Sequence, residues 1–141
     1  MIIDDNAGDC VLLREALREA AWDADIVEAL SHQEALHVLE RQTQLQVDPD
    51  ILLLDYWLHR EEAPAILEDI RSMSADTHLP VIVQSSSSLR LEQHDRCRRL
   101  GVLKILVRSH RFAGILALVR ILRKILEGHR ERSRGEAWIS E

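Results

Sequence analysis

The sequence predicts an α/β fold, a doubly wound parallel sheet with helices on both faces. Three observations carry this reading. Short apolar runs alternate with longer segments of helical period, the pattern of strand–helix–strand units. One run, Ile51 to Leu54, is apolar without alternation, as a central strand buried on both faces must be. Several of the runs end on an acidic, hydroxyl or basic residue.

Taken in order, Ile2 and Ile3 form a stub of strand ending in Asp4 and Asp5. A helix follows with Leu13, Ala16, Leu17 and Ala20 at core spacing. Ile26 and Val27 are expected as the second strand. Ser31 and Glu34 have the spacing of a capping box, which opens a helix through Ala35, Leu36 and Leu39. Asp48-Pro49-Asp50 breaks the chain before the third strand, which ends at Asp55. Pro64 suits the first turn of the next helix, where no amide donor is needed, and Ile66, Leu67 and Ile70 give that helix its apolar face. Pro80 to Gln84 is the fourth strand and leads into Ser85 to Ser88. A polar helix from Leu89 to Leu100 stops at Gly101, and Val102 to Val107 is the fifth strand. Phe112, Ile115, Val119, Leu122 and Leu126 line the last helix. Residues 1–127 are thus expected as one domain, and 128–141 as a polar, frayed tail.

Composition narrows the function classes. At 141 residues, the chain matches one domain, and 46% hydrophobic with 30% charged residues is too apolar for disorder. A formal net charge of −6 opposes phosphate-backbone binding, which needs a cationic face, so no nucleic-acid partner is expected. Cys10 and Cys97 are too few for a disulfide framework and read as small core hydrophobes in a reduced, cytoplasmic setting. The 7 histidines, His59 among them, show no metal-ligand spacing. No membrane span or leader is expected, because Asp4 and Asp5 interrupt the apolar start and six basic residues punctuate Val102 to Leu126.

In a doubly wound sheet, ligands bind beyond the carboxyl ends of the strands. Asp4 and Asp5 end strand one, Asp55 strand three, Ser85 strand four and Arg108 strand five. A fold that gathers these ends collects three carboxylates, a hydroxyl and a fixed cation. Crowded carboxylates repel one another, which invites a hard divalent cation such as Mg²⁺.

These four motifs, in this order, resemble those of response-regulator receiver domains. Asp4-Asp5-Asn6 resembles their acidic pair, "DILLLD" the phosphoacceptor strand, "PVIVQS" the hydroxyl strand and "GVLKILVRS" the basic strand. The opening "DDNAGD", the following "REALREA" and the spacer "SMSADTHLP" are similar to the phytochrome-associated branch of single-domain receivers. The resemblance implies a flavodoxin-like five-stranded sheet of order 2-1-3-4-5. It implies Asp55 as the phosphoacceptor, aided by Ser85 and Arg108. It implies Mg²⁺ held by Asp4, Asp5, Asp55 and the backbone carbonyl of Trp57. It implies a sensor histidine kinase of bacteriophytochrome type as partner, and signalling in place of enzymatic turnover. Too few residues follow Leu126 for a helix-turn-helix unit, so output is expected through protein interaction or phosphorelay.

The sequence departs from the family in places. Arg108 stands for the usual Lys, and the two are not interchangeable at a phosphate. Ser109 stands for Pro, so a trans peptide is expected there. Ile105 replaces the aromatic residue whose ring turns inward, and Trp57, His59 and Ala63 imply an altered loop after Asp55. These departures favour an alternative reading, a degenerate receiver that docks or dimerises without phosphorylation. A haloacid-dehalogenase-type phosphatase would need an acid where Trp57 stands. The apolar fifth strand is expected at a sheet edge, and Ile105 with Ile121 and Ile125 is expected to form a homodimer face.

Overall fold

The structure, a computed structural model, describes residues 1–73 and 79–139. Residues 74–78 of the spacer before the fourth strand lie outside the described residues, as do 140 and 141.

Five strands form one parallel sheet: β1 (Ile2–Ile3), β2 (Glu28–Ala29), β3 (Leu52–Asp55), β6 (Val81–Ser85) and β7 (Val102–Val107). Their order is β2-β1-β3-β6-β7, which is the 2-1-3-4-5 order of the main-sheet strands. A separate antiparallel hairpin, β4 (Trp57–Leu58) with β5 (Glu61–Glu62), follows β3. The helices are α1 (Ala7–Glu19), α2 (His32–Gln44), α3 (Ala63–Met73), α4 (Leu91–Arg99) and α5 (Phe112–Ile139).

Side chains alternate across a strand, and here both faces are covered. Ile3, Leu52, Leu54, Val81 and Val83 point into a core closed by Leu39, Ile66, Leu67 and Ile70 from α2 and α3. Ile2, Leu53 and Ile82 point the other way, onto Leu13 and Leu17 of α1 and Leu118, Val119 and Leu122 of α5. Burial on both faces explains the unbroken apolar run of β3. Each helix begins where its local chemistry allows. Asn6 caps α1 by accepting from Gly8 N–H at 2.9 Å. Ser31 caps α2 by accepting from Glu34 N–H at 3.1 Å, while Glu34 reaches back to Leu30 N–H, also at 3.1 Å. Pro64 is the second residue of α3.

Several boundaries differ from expectation. The second strand lies at Glu28–Ala29, two residues past Ile26 and Val27. Val27 already lends its carbonyl to Ile2 N–H at 2.8 Å, but the paired register is Ile2 with Glu28. Ile26 instead packs against the α1–α5 core. The fourth strand begins after Pro80, which has no amide to donate, and it includes Ser85. Phe112 opens α5 but is exposed, not core. Past residue 127, where a frayed tail was expected, α5 continues as helix through Ile139, in a stretch with no proline to break it.

The hairpin is the element that apolar patterning did not reveal. Its turn residues, His59 and Arg60, have φ of 48° and 69°. Two consecutive left-handed residues are what a tight two-residue hairpin requires, usually met by Asn-Gly. With no glycine to mark it, the turn was invisible.

One glycine is needed for its backbone. Gly101 has φ +81° after α4, and a Cβ there would meet Arg71 Nη2 at 3.2 Å. Arg71 is itself fixed by the carbonyls of Leu100 and Leu79, each at 3.1 Å. Gly101→Ala is expected to cost about 1–2 kcal/mol, read as a lower urea midpoint with an unchanged slope.

Candidate functional site

Parallel strands in this order bring the carboxyl ends of β1, β3, β6 and β7 to one edge. Ile3 ends β1, and Asp4 N–H pairs with Ala29 O at 3.0 Å, so the backbone continues the ladder into the acidic pair. Asp4 is 3% exposed, and its Oδ1 accepts from Asn6 N–H at 2.9 Å. Asp5 is exposed, and its Oδ2 lies 3.3 Å from the amide of His59 in the hairpin turn. Asp55 closes β3 in register with Gln84. One ligand oxygen from each of Asp4, Asp5 and Asp55 lies within 4.8 Å of the others.

Arg108 follows β7, and its amide donates to Ser85 O at 2.7 Å, extending the β6–β7 pairing. That fixes its Cα at the crevice. Its side chain, 12% exposed, reaches three acids: Nη2 lies 3.0 Å from Asp4 Oδ2 and 3.4 Å from Asp55 Oδ1, while Nη1 donates to Asp9 Oδ2. The Arg108–Ser109 peptide is trans. Ser85 is buried, and its hydroxyl donates to Ser87 O at 2.6 Å.

The electrostatics follow from this crowding. Burial pushes the Asp55 carboxyl up to about 6; Arg108 opposes the shift, and Asp4, Asp5 and Asp9 add to it. Burial also raises Asp4, against the amide of Asn6 and the charge of Arg108. Such a site has more negative charge than one guanidinium neutralises. Its donors are all oxygens, which fits a hard divalent cation at Asp4, Asp5 and Asp55.

The structure therefore brings Asp4, Asp5, Asp55 and Arg108 together, with Ser85 at the end of the neighbouring strand. Trp57, 44% exposed, begins the hairpin with its ring edge-on to Tyr56 at a centroid distance of 5.5 Å. Tyr56 is fully buried and donates to Glu62 Oε2 at 2.8 Å, which ties the hairpin to the core side of the sheet. Sequence reasoning missed two residues. Asp9 lies in the first turn of α1, and nothing in the local sequence marks its partner, Arg108, 99 residues away. His59, read as a solvated loop residue, bonds through Nε2 to Leu30 O at 2.9 Å and through its amide to Asp5.

The five-stranded parallel sheet and its helices form the flavodoxin-like fold that response-regulator receiver domains also have. Among solved structures, the chain is similar to the phosphorylated cyanobacterial phytochrome response regulator RcpA, at 24% identity and a TM-score of 0.74, covering 89% of this chain and 90% of that one. It is similar to a response regulator in red light signaling of R. palustris, at 21% identity and a TM-score of 0.71, covering 86% of this chain and 88% of that one. It is similar also to a response regulator in its Mn²⁺-bound form, at 21% identity and a TM-score of 0.67, covering 83% and 88%. No family model matches the sequence, and no curated protein matches it significantly. Among the described residues, no helix is long and apolar enough to cross a membrane.

Proposed function

We propose that the chain is a response regulator whose Asp55 accepts a phosphoryl group from a sensor histidine kinase in the presence of Mg²⁺. The observation that carries this reading is the position of Asp55: at the end of a buried strand, within 4.8 Å of Asp4 and Asp5 oxygens and 3.4 Å from Arg108. In the reaction, an Asp55 oxygen attacks phosphorus, the P–N bond to the kinase imidazole breaks, and the nitrogen keeps the electron pair. Asp4, Asp5, Asp55 and the backbone carbonyl of Trp57 would hold Mg²⁺, which supplies charge compensation for the phosphoryl oxygens. Ser85 turns its hydroxyl from Ser87 O to one phosphoryl oxygen, and Arg108 offers its guanidinium to another. The phytochrome-related neighbours support a bacteriophytochrome-type kinase as the partner.

Output through a second copy is part of the proposal. The edge strand β7 and the start of α5 expose Leu103, Val107 and Phe112; Ile105, packed toward the α2–α3 core, and Ile121 and Ile125 of α5 are half-buried. An uncovered apolar edge favours pairing. The alternative, docking without phosphorylation, is favoured by Ile105, which has no ring to turn inward.

Beryllofluoride with Mg²⁺ separates the two. A saturable change in tryptophan fluorescence, with Trp57 as the nearby reporter, is expected in the wild type and not in Asp55→Asn. Sedimentation is expected to show a larger species with the analogue bound. A folded wild type that ignores the analogue, yet dimerises, would establish the docking alternative.

A further inference from the structure

The guanidinium of Arg108 is divided between two kinds of acid. Its Nη2 lies between Asp4 Oδ2 at 3.0 Å and Asp55 Oδ1 at 3.4 Å. Those are two of the three carboxylates that converge as a cation site. A divalent cation and Nη2 are therefore like charges competing for the same carboxylates. The other nitrogen, Nη1, donates to Asp9, which is outside that convergent trio. Asp9 is fixed in the first turn of α1, where its amide bonds Asn6 O at 3.2 Å and the helix N-terminus favours its negative charge. Asp4, Asp9 and Arg108 also line, with Leu13, Ile115 and Leu118, a cavity of about 30 Å³.

We propose that Asp9 is the positioning residue for Arg108: it retains the guanidinium through Nη1 while Nη2 yields Asp4 and Asp55 to the cation. This rests on reading the three carboxylates as a divalent-cation site. It also gives a reason for arginine at this position. A planar fork grips Asp9 with one nitrogen and leaves the other free to bond a phosphoryl oxygen, whereas a lysine ammonium is a single point charge. Without Asp9, Arg108 settles on Asp4 and Asp55 and competes with the cation at full strength.

A double-mutant cycle tests this, with Mn²⁺ as the probe and free Mn²⁺ read by electron paramagnetic resonance. Asp9→Asn is expected to weaken Mn²⁺ binding roughly tenfold in the Arg108 background, and by no more than about twofold in Arg108→Ala. Equal weakening in both backgrounds would overturn the proposal, because Asp9 would then act on the cation directly, as a distant charge. So would no weakening in the Arg108 background.

A second readout needs no metal. In chelated protein, nitrogen-15 spectra of the Arg108 guanidinium are expected to show distinct Nη1 and Nη2 signals, with Nη1 displaced in Asp9→Asn as it loses its carboxylate while Nη2 keeps Asp4 and Asp55. An unchanged Nη1 signal in that variant would overturn the proposal. Failure of the wild type to bind Mn²⁺ would instead overturn the cation-site reading, and the Arg108 spectra would still decide whether Asp9 holds the guanidinium.

Discussion

Replacing Asp55 with Asn is expected to stabilise the metal-free protein at pH 7 by about 1–2 kcal/mol, even as it removes the group on which the proposed function depends. Asp55 has 14% of its side chain exposed and three other acids in its field, Asp4, Asp5 and Asp9. Its carboxyl stands near 6, against an ordinary value of 3.8, so the folded protein holds this proton more tightly than the unfolded chain does. The stability this confers is fully present below about pH 3.8 and is lost as pH rises through about 6. At pH 7 the charged form is a burden on the fold. Asparagine keeps the shape and removes the charge; the shift already includes the attraction of Arg108, and the partial exposure of the site keeps the gain below the shift's full value. Thermal unfolding with a chelator present reads the difference, as a rise of about 3–6 °C. A wild type more stable than Asp55→Asn at pH 7, with both folded, would mean that Arg108 outweighs the burial and the crowding.

The second large effect is on cation affinity. Metal ligands must be deprotonated, so protons and metal compete for Asp55 and Asp4. Both carboxyls are raised, Asp55 to about 6, chiefly by burial. Affinity for Mg²⁺ or Mn²⁺ is therefore expected to be level above pH 7 and to fall about tenfold or more per unit below about pH 6. An exposed carboxylate site of ordinary acidity would hold its affinity down to about pH 4–5. Calorimetric titration at a series of pH values separates the two, and an affinity unchanged between pH 7 and 5 would contradict the electrostatics described above.

Much of this site was legible because a parallel sheet converts strand ends into neighbours. Once Ile2–Ile3, Ile51 to Leu54, Pro80 to Gln84 and Val102 to Val107 are read as strands, the residues that follow them must share an edge. Asp4, Asp5, Asp55, Ser85 and Arg108 were found that way. What escaped notice belongs to local geometry that apolar patterning does not encode. The hairpin after Asp55 turns on His59 and Arg60, side chains that seldom take left-handed backbone, and no glycine announces it. The second strand has only two paired residues, and Glu28, a charged residue, is one of them. Asp9 was visible as an acid in the first turn of α1, but its partner lies 99 residues away. Only the folded chain shows that Arg108 reaches it. Arg108, met first as a departure from the usual lysine, then makes sense as the residue that bridges Asp9 to Asp4 and Asp55.

The central claim is that Asp55 is a phosphoacceptor in a cation-dependent site. Intact-mass spectrometry after incubation with acetyl phosphate and Mg²⁺ tests it most directly, with peptide mapping to place the modification. The expected result is the gain of a single phosphoryl group on Asp55, absent in chelator and absent in Asp55→Asn. A folded wild type that stays unmodified, or that carries the group on another residue, would contradict the claim.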